Sequence, residues 1–377
     1  MKVALLSVAS NGTHSRTNSF AKTQPASPHY GWILHPVIDL LFCCGGLVWL
    51  LAILHFFGFG PDGISKPVQV LLSISGLGAL AFSETHVMAT LSRVYENKKS
   101  IKKFAAGSLI AAIACLILGL LGVFYPALLP VYLKLYLLLV AQHFTAQTYG
   151  LALLYCAKRS YFLSSFERNV LASLLQSTMW VAILRQLCYR EWSGDTLLGI
   201  EIPFWGALPE YFCQLAEFAV LLSALTLLVV IFKKLFAESK MMPLPAVLMI
   251  ITGVSIFLIG KEFSQTLWLY VPAFFHGSQY IAVSLAVHLK AKGLPEGVSF
   301  SRIATVLSDA PSIKYLGTLF LAALLFFQIL PLLAGLMGLS STVFAASSFA
   351  AIHFHHFICD RSIWKLRDPE SRKLLLA

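Results

Sequence analysis

The sequence predicts an all-α fold, a polytopic membrane helix bundle of about ten transmembrane helices with both termini cytoplasmic. Composition is the first reason, because 58% of the 377 residues are hydrophobic and only 12% are charged, whereas soluble domains carry about 25% charged residues. The second reason is that the apolar residues form runs close to the ~20 residues that a membrane-spanning helix needs. The third is that basic residues collect between alternate runs.

Ten apolar runs define the predicted spans in chain order. They cover residues 31–57, 67–92, 104–128, 131–156, 169–189, 213–235, 243–261, 265–288, 313–337 and 340–360. Turn-forming residues separate neighbouring spans. Asp62 and Gly63 follow the first, a Tyr-Pro-Ala-Leu-Leu-Pro turn joins the third to the fourth, and Pro295 follows the eighth. The ninth and tenth spans meet at Gly338–Ser341, and residues 190–211 form an aromatic and acidic loop at the opposite interface.

Basic residues occur in the N-terminal segment and after the second, fourth, sixth, eighth and tenth spans, so they lie on one side when the spans alternate. Among the 28 Lys and Arg residues, the exceptions are Lys66, Lys134, Arg185, Arg190 and Lys261. The positive-inside rule then places both termini in the cytoplasm, and a bacterial inner membrane is the expected location. Topology explains the net charge of +11, which in the absence of an Arg-rich stripe does not indicate nucleic-acid binding.

The two ends of the chain differ in composition from the spans. Residues 1–30 are mixed and polar, and their short apolar start does not make a signal peptide. A flexible cytoplasmic tail is therefore predicted there. Residues 31–360 are predicted to form the transmembrane domain, and residues 361–377, rich in Lys and Arg, a basic cytoplasmic tail.

Six histidines fall in the cytoplasmic half of the predicted spans. They are His35, His86, His143, His276, His353 and His356. At a rise of 1.5 Å per residue, these six lie within about 15 Å of depth. An ionisable side chain in hydrocarbon is costly and needs a partner, and neutral imidazole is the commonest metal ligand among side chains. The six are therefore predicted metal ligands, whereas His55 and His288 lie at span ends and are predicted to be interfacial.

Two carboxylates share helix faces with these histidines. His35 and Asp39 are four residues apart in His-Pro-Val-Ile-Asp, and His356 and Asp360 are four apart near the end of the last span. Side chains at this spacing are neighbours on a helix. Asp39 and Asp360 are therefore predicted either as metal ligands or as hydrogen-bond acceptors for ligand histidines.

An amide and a phenol follow both His143 and His276 within about two helical turns. These residues are Gln147, Tyr149, Gln279 and Tyr280. The two amides are predicted to support the cofactor site from behind the ligands, and the two phenols are predicted catalytic residues. Glu84, two residues before His86, is a third catalytic candidate, as a ligand, a proton donor or a hydrogen-bond partner of a histidine.

The predicted ligand set restricts the metal. Imidazole and carboxylate without thiolate suit non-haem iron, zinc or copper, and the set is large enough for one or two ions. Iron is the expected ion, with copper or zinc as alternatives. A site inside the bilayer favours a substrate that is itself lipid-soluble, and zinc hydrolysis gives less reason for such burial.

Short motifs resemble two families of integral-membrane iron enzymes. His35-Pro-Val-Ile-Asp39 resembles the His-Gly-x-x-Asp motif of Brp/Blh-type carotene dioxygenases, with Pro36 in place of the glycine. The isolated histidines of later spans in that family correspond to His86, His143 and His276. The His-Phe-His-His sequence of the last span has no counterpart there and resembles, more distantly, the histidine boxes of membrane fatty-acid desaturases and hydroxylases. Both resemblances imply a non-haem iron centre that reacts with dioxygen.

These observations together predict a membrane-embedded, metal-dependent oxygenase or desaturase-like enzyme. Its expected substrate is a fatty-acyl or an isoprenoid or carotenoid chain. Since no soluble cofactor domain is visible, a monooxygenase would need an electron-donor protein, whereas a dioxygenase would not. Two alternatives stay open: a proton- or ion-coupled transporter with a histidine relay, and an electron-transfer protein with haem between two imidazoles.

Overall fold

Helices account for nearly all of the described chain. The computed structural model describes residues 31–58, 78–96, 98–104, 106–193, 196–206, 208–259, 265–291, 310–364 and 368–376. The predicted tail at residues 1–30 and the side chain of His55 lie outside the described part. Gly31–Ala377 form one compact unit.

The helices are numbered here in chain order. The α-helices are α1 Pro36–Ile38, α2 Gly46–Gly58, α3 Thr85–Tyr95, α4 Lys98–Lys103, α5 Ala112–Phe124, α6 Leu129–Lys158, α7 Ser165–Cys188, α8 Tyr211–Glu238, α9 Leu244–Ile259, α10 Gln265–Ala291, α11 Ala310–Leu324, α12 Leu330–Leu336, α13 Ser341–Ile363 and α14 Pro369–Leu376. Single turns of 3-10 helix lie at Pro126–Leu128 and Arg190–Trp192. In the part of the chain that the structure describes, four π-helical segments interrupt or precede α-helices: π1 Asp39–Cys43, π2 Ala79–Glu84, π3 Ala106–Ala111 and π4 Leu325–Ile329.

Five helical stretches among the described residues are long and apolar enough to cross a membrane. They are Pro126–Lys158, Ser165–Cys188, Tyr211–Glu238, Pro311–Leu336 and Ser341–Ile363. These correspond to the predicted fourth, fifth, sixth, ninth and tenth spans. Shorter apolar helices at Ser108–Phe124 and Leu244–Ile259 overlap the predicted third and seventh. The helical fold is thereby confirmed and includes five candidate membrane-spanning helices, while the number of ten spans and the side of the termini stay predictions.

The outer faces of these helices suit lipid. On α8, Leu215, Phe218 and Val229 are each at least 60% exposed. A soluble protein rarely exposes a continuous apolar surface of this kind. The charge of Arg185, near the end of α7, is paired, because Arg185 bonds Glu217 at 2.7 Å and the Phe257 carbonyl at 2.9 Å.

The connection between α7 and α8 contains a small hairpin. Thr196–Leu197 (β1) pairs antiparallel with Ile200–Glu201 (β2). Leu198 and Gly199 between them both have positive φ, at 52° and 74°, as a type I′ hairpin turn requires. The predicted interfacial loop thus has regular structure at its centre.

The C-terminal segment, predicted as a basic tail, includes a docked helix. Leu375 on α14 is buried, and Ser371 Oγ donates to the Ile363 carbonyl at 3.2 Å. Lys103 forms a 2.8 Å ion pair with Asp368 just before α14. Lys158 at the end of α6 donates to the carbonyls of the last turn of α14.

Candidate metal centre

Four of the six predicted ligand histidines come together in the centre of the bundle. They are His86 on α3, His143 on α6, His276 on α10 and His356 on α13. One ring nitrogen of each lies within 4.8 Å of the corresponding atoms of the other three, and all four side chains are buried. The four-histidine cluster therefore joins residues that are up to 270 positions apart in the chain.

Three of the four rings meet through their Nε2 atoms. His356 Nε2 lies 2.9 Å from His143 Nε2 and 3.1 Å from His86 Nε2. A neutral imidazole has one donor and one acceptor nitrogen, so a single proton can bridge only one such pair at a time. These nitrogens are therefore close enough together to bind one cation in place of the shared protons.

His276 shows most clearly whether the cluster suits a metal ion. Its ring packs against His143 and His86 at centroid distances of 4.6 and 4.7 Å. Neither of its nitrogens has a hydrogen-bond partner among the described residues, although the side chain is buried. A buried polar atom without a partner costs about 1–3 kcal/mol. A metal ion among the four rings would remove that cost for one of the two nitrogens.

The spacing also suits one ion. Four nitrogens at 2.0–2.1 Å from a tetrahedral ion lie about 3.3 Å apart. The two shortest contacts are slightly below this distance, and the widest lies within 4.8 Å. Small side-chain rotations would convert one arrangement into the other, so the residues present fit a metal ion.

A close backbone approach places His276 beside His86. A Cβ on Gly277 would lie 2.6 Å from the Phe82 carbonyl oxygen and 2.8 Å from the Ser83 nitrogen. Only glycine allows α10 to pack directly against π2, which ends immediately before the helix of His86. π-Helical turns are frequent at functional sites, and here π2 sets the position of one of the four rings.

Asp360 and Tyr280 lie just behind the rings. The Tyr280 ring centroid is 5.3 Å from that of His86 and 5.8 Å from that of His356. Asp360 Oδ2 lies 3.9 Å from His143 Nδ1, and its carboxylate contacts Tyr280 and Trp364. These two predicted residues therefore support the cluster from outside.

His35 and Asp39 lie at the start of the first helix and outside the four-histidine cluster. The Asp39 carboxylate accepts the backbone N–H groups of Ile33, Leu34 and His35 at 2.6, 3.1 and 3.3 Å. The Tyr155 hydroxyl donates to it at 2.9 Å, and His35 caps α1 by accepting the Val37 N–H. In the structure this motif fixes the chain where it enters the bundle.

His353 also lies outside the cluster, one turn before His356. Its Nδ1 contacts the Phe349 carbonyl at 2.9 Å, and its ring packs on Phe349 and Tyr136 at 3.9 and 5.1 Å. Glu84 is partly buried and contacts the Gln328 amide of π4. Its Oε2 has no hydrogen-bond partner among the described residues.

The predicted amides stabilise backbone rather than imidazole rings. Gln147 Nε2 donates to the His276 carbonyl at 3.0 Å and to Gln279 Oε1 at 2.9 Å. Gln279 Nε2 donates to the Cys43 carbonyl at 2.8 Å. The pair thereby ties α10 to α6 and π1 at the level of the cluster. Tyr149 is partly buried against the hydrophobic core.

Sequence reasoning missed Thr90, which is fully buried. Its Oγ1 lies 2.9 Å from His356 Nδ1 and also bonds the Tyr280 hydroxyl. Spacing offered a signal, because Thr90 follows His86 by four residues and so shares its helix face.

Comparison with protein-family models, curated proteins and solved structures found no match. The assignment of a candidate metal centre therefore depends on the geometry of the four-histidine cluster. The resemblance to carotene dioxygenases and desaturases stays a hypothesis.

Proposed function

We propose that this chain is a membrane-embedded metalloenzyme that binds one ion, non-haem iron, between His86, His143, His276 and His356. The observation that carries the proposal is four buried imidazoles whose nitrogens lie within 4.8 Å of one another. Bound iron would supply the redox chemistry that oxygenases and desaturases perform with dioxygen. The chain supplies neutral ligands, fixes their orientation and excludes water.

The ligand set supports iron, copper or zinc, because imidazole suits all three. No thiolate belongs to the cluster. Four neutral ligands do not compensate the charge of a divalent ion. The Asp360 carboxylate lies behind the ligand rings, 3.9 Å from His143 Nδ1, where it would balance part of that charge. Iron is preferred over zinc because a hydrolytic centre gains little from a position inside hydrocarbon.

The packing of the rings argues against haem between two of these histidines. Axial imidazoles of a haem face each other across a flat porphyrin. Here the His86 ring meets those of His276 and His356 edge to face, with centroids 4.7 Å apart in each pair. A porphyrin would need this space, so a single ion suits the cluster better.

A proton relay is the remaining alternative. It would require positively charged imidazoles inside the bundle, where desolvation of an ion is costly. Hydrogen bonds from the cluster lead through Thr90 and Tyr280 towards Trp364, at the end of α13. This one-sided arrangement favours a closed centre over a path across the membrane.

The apolar surroundings support a lipid-soluble substrate, a fatty-acyl or an isoprenoid or carotenoid chain. Aromatic rings surround the cluster, with Phe144 stacked on His276 at 4.4 Å and Phe357 at 4.6 Å from His143. The predicted topology places the centre in the cytoplasmic half of a bacterial inner membrane. An electron-donor protein would be required if the reaction is a desaturation or a monooxygenation.

Metal analysis of protein purified in detergent tests the proposal. We expect about one iron per folded wild-type chain and almost none in His276→Ala. His353→Ala serves as the matched control, because His353 is a buried histidine outside the cluster, and it should retain the ion. Folded wild-type protein without iron, copper or zinc would refute the proposal, and a haem absorption spectrum would favour the electron-transfer alternative.

A further inference from the structure

A chain of hydrogen bonds leads away from the back of His356. His356 Nδ1 lies 2.9 Å from Thr90 Oγ1, Thr90 Oγ1 bonds the Tyr280 hydroxyl, and Trp364 Nε1 donates to that hydroxyl at 2.7 Å. Asp360 contacts both Tyr280 and Trp364. All these groups lie on α3, α10 and α13 or directly after α13, the helices that carry three of the four ring ligands.

In this chain of hydrogen bonds, the groups at the two ends determine which atoms donate and which accept. A metal ion on His356 Nε2 leaves the ring proton on Nδ1, so Thr90 Oγ1 must accept it. The Thr90 proton is then directed at the Tyr280 oxygen. Indole Nε1 can only donate, so that oxygen accepts from Trp364 as well, and the Tyr280 proton is directed at the Asp360 carboxylate. His356, Thr90, Tyr280 and Trp364 then each have a partner of the correct kind.

The opposite tautomer satisfies the chain less well. With the proton on His356 Nε2, Nδ1 accepts the Thr90 proton and Thr90 Oγ1 accepts the Tyr280 proton. The Asp360 carboxylate then faces the Tyr280 oxygen without a proton between them. The protonated Nε2 also occupies the point that His86 and His143 face at 3.1 and 2.9 Å. The chain therefore favours the tautomer that directs a lone pair at the common point of the cluster.

We propose that Thr90 is a positioning residue that holds His356 in its metal-binding tautomer and orientation, with Tyr280 and Asp360 completing the chain behind it. The proposal deepens the proposed function, since it depends on the same four-histidine site. Residues that orient ligand histidines in this way typically contribute 10- to 100-fold to metal affinity. Thr90 should therefore change metal affinity without contacting the ion.

Titration with Co²⁺ alone, followed through its visible absorption and by competition with a chelator, tests the proposal. Thr90→Val keeps the shape and removes the hydroxyl, and we expect about 10- to 100-fold weaker Co²⁺ binding. Thr90→Ser restores the hydroxyl and should bind within a few-fold of wild type. Thr178→Val is the matched control, because Thr178 is a fully buried threonine whose hydroxyl donates to the Leu174 carbonyl of its own helix.

Thermal unfolding of the metal-free protein distinguishes a loss of ligand positioning from a loss of folding stability. Both Thr90→Val and Thr178→Val should still fold and unfold cooperatively, because each removes one buried hydroxyl and keeps the shape of the side chain. Tyr280→Phe should weaken Co²⁺ binding in the same direction as Thr90→Val, and the double variant should bind about as weakly as Thr90→Val alone, because the two residues act through one chain.

The outcomes distinguish the role of Thr90 from the existence of the metal site. Equal Co²⁺ affinity in wild type and Thr90→Val would overturn the role of Thr90 and leave the metal site intact. Wild-type protein that binds no Co²⁺ and contains no metal after purification would overturn the proposed function, and the positioning role with it. Loss of binding in Thr90→Ser as severe as in Thr90→Val would also contradict the role of the hydroxyl.

Discussion

Gly277 determines how closely two ligand-bearing segments approach. Since its added Cβ would lie 2.6 Å from the Phe82 carbonyl oxygen, Gly277→Ala must push α10 away from π2. Overpacking of this kind costs about 1–3 kcal/mol, and the shift would separate His276 from His86. We expect lower thermal stability in detergent and a clear loss of bound metal.

Gly150→Ala and Gly317→Ala are suitable controls for that substitution. Both glycines are helical, and an added Cβ at either would have nothing within 4 Å. Alanine is favoured over glycine inside helices by about 1 kcal/mol, so the controls should be as stable as wild type or more stable, and should bind metal normally. Gly277→Ala with the same behaviour would show that the close approach is unimportant.

Asp39 is the residue at which ligand and structural roles are easiest to separate. Its carboxylate accepts three backbone N–H groups and the Tyr155 hydroxyl, and hydrogen bonds to a charged group contribute about 1.5–3 kcal/mol each. Asp39→Asn should therefore lower the unfolding temperature strongly, and Tyr155→Phe should lower it less. Metal bound per folded chain should stay unchanged in both.

Metal analysis alongside thermal unfolding would check this prediction. An Asp39→Asn protein that folds as stably as wild type but has lost its ion would show that Asp39 acts on the metal after all.

The four histidines of the cluster could be predicted from residue type and depth in the spans, but the sequence did not show which of the other candidates lie beside them. His86, His143, His276 and His356 belong to the expected set because a buried imidazole needs a partner. The prediction that His35 and Asp39 share a helix face assumed that one helix runs through both residues. Pro36 instead begins the helix there, so His35 becomes its cap and Asp39 bonds the preceding backbone.

At the level of elements, apolar runs located the helices but not their ends. The predicted fifth span began at residue 169, whereas α7 begins at Ser165, where Ser164 and Glu167 form a reciprocal capping box. Hydropathy marks the part of a helix inside lipid, while caps use polar residues outside it. The π-helical turns were likewise not predictable, because they depend on tertiary contacts such as that between Gly277 and Phe82.

Docking of α14 gives a pH prediction at the element scale. A hydrogen bond from the Lys103 ammonium, with one from the Ser371 N–H, lowers the pKa of Asp368 from 3.8 to about 2. A lowered folded-state pKa means that the pair stabilises above pH 3.8 and that this contribution disappears as the pH falls through about 2. The pair is solvent-accessible, so the effect should stay below about 1 kcal/mol.

Unfolding temperatures of wild type and Asp368→Asn at several pH values would test this contribution. The variant should be slightly less stable at pH 6, and the difference should vanish near pH 2. A constant difference across that range would mean that the carboxylate charge is not what matters.

At the scale of the whole molecule, the outer surface of the bundle is apolar and its interior holds a group of polar side chains. Outward faces such as that of α8 are apolar, and charged groups such as Lys134 and Arg185 are satisfied inside the bundle. Lys134 Nζ, fully buried, donates to Ser193 Oγ at 2.9 Å and to the Gln186 carbonyl at 3.2 Å. Polar groups can therefore gather around the four histidines in the interior, because the apolar side chains of the same helices face outward, where lipid can surround them.

Membrane orientation provides the final prediction, because it decides on which side a redox partner could reach the centre. Glu201 lies exposed in the hairpin between α7 and α8, and Lys240 lies exposed between α8 and α9. These two loops flank a single 28-residue helix, so they must face opposite sides if α8 crosses the bilayer. The distribution of basic residues places Lys240 on the cytoplasmic side.

Glu201→Cys should therefore react with a membrane-impermeant maleimide in intact cells, and Lys240→Cys should react only after the cells are opened. Cys188 is the one cysteine among the described residues that is not buried, so both variants belong in a Cys188→Ser background. The reverse labelling pattern would place the basic loops outside and contradict the predicted orientation. Labelling of both loops from one side would mean that α8 does not span the membrane, and the bundle would then need a different arrangement around the four-histidine cluster.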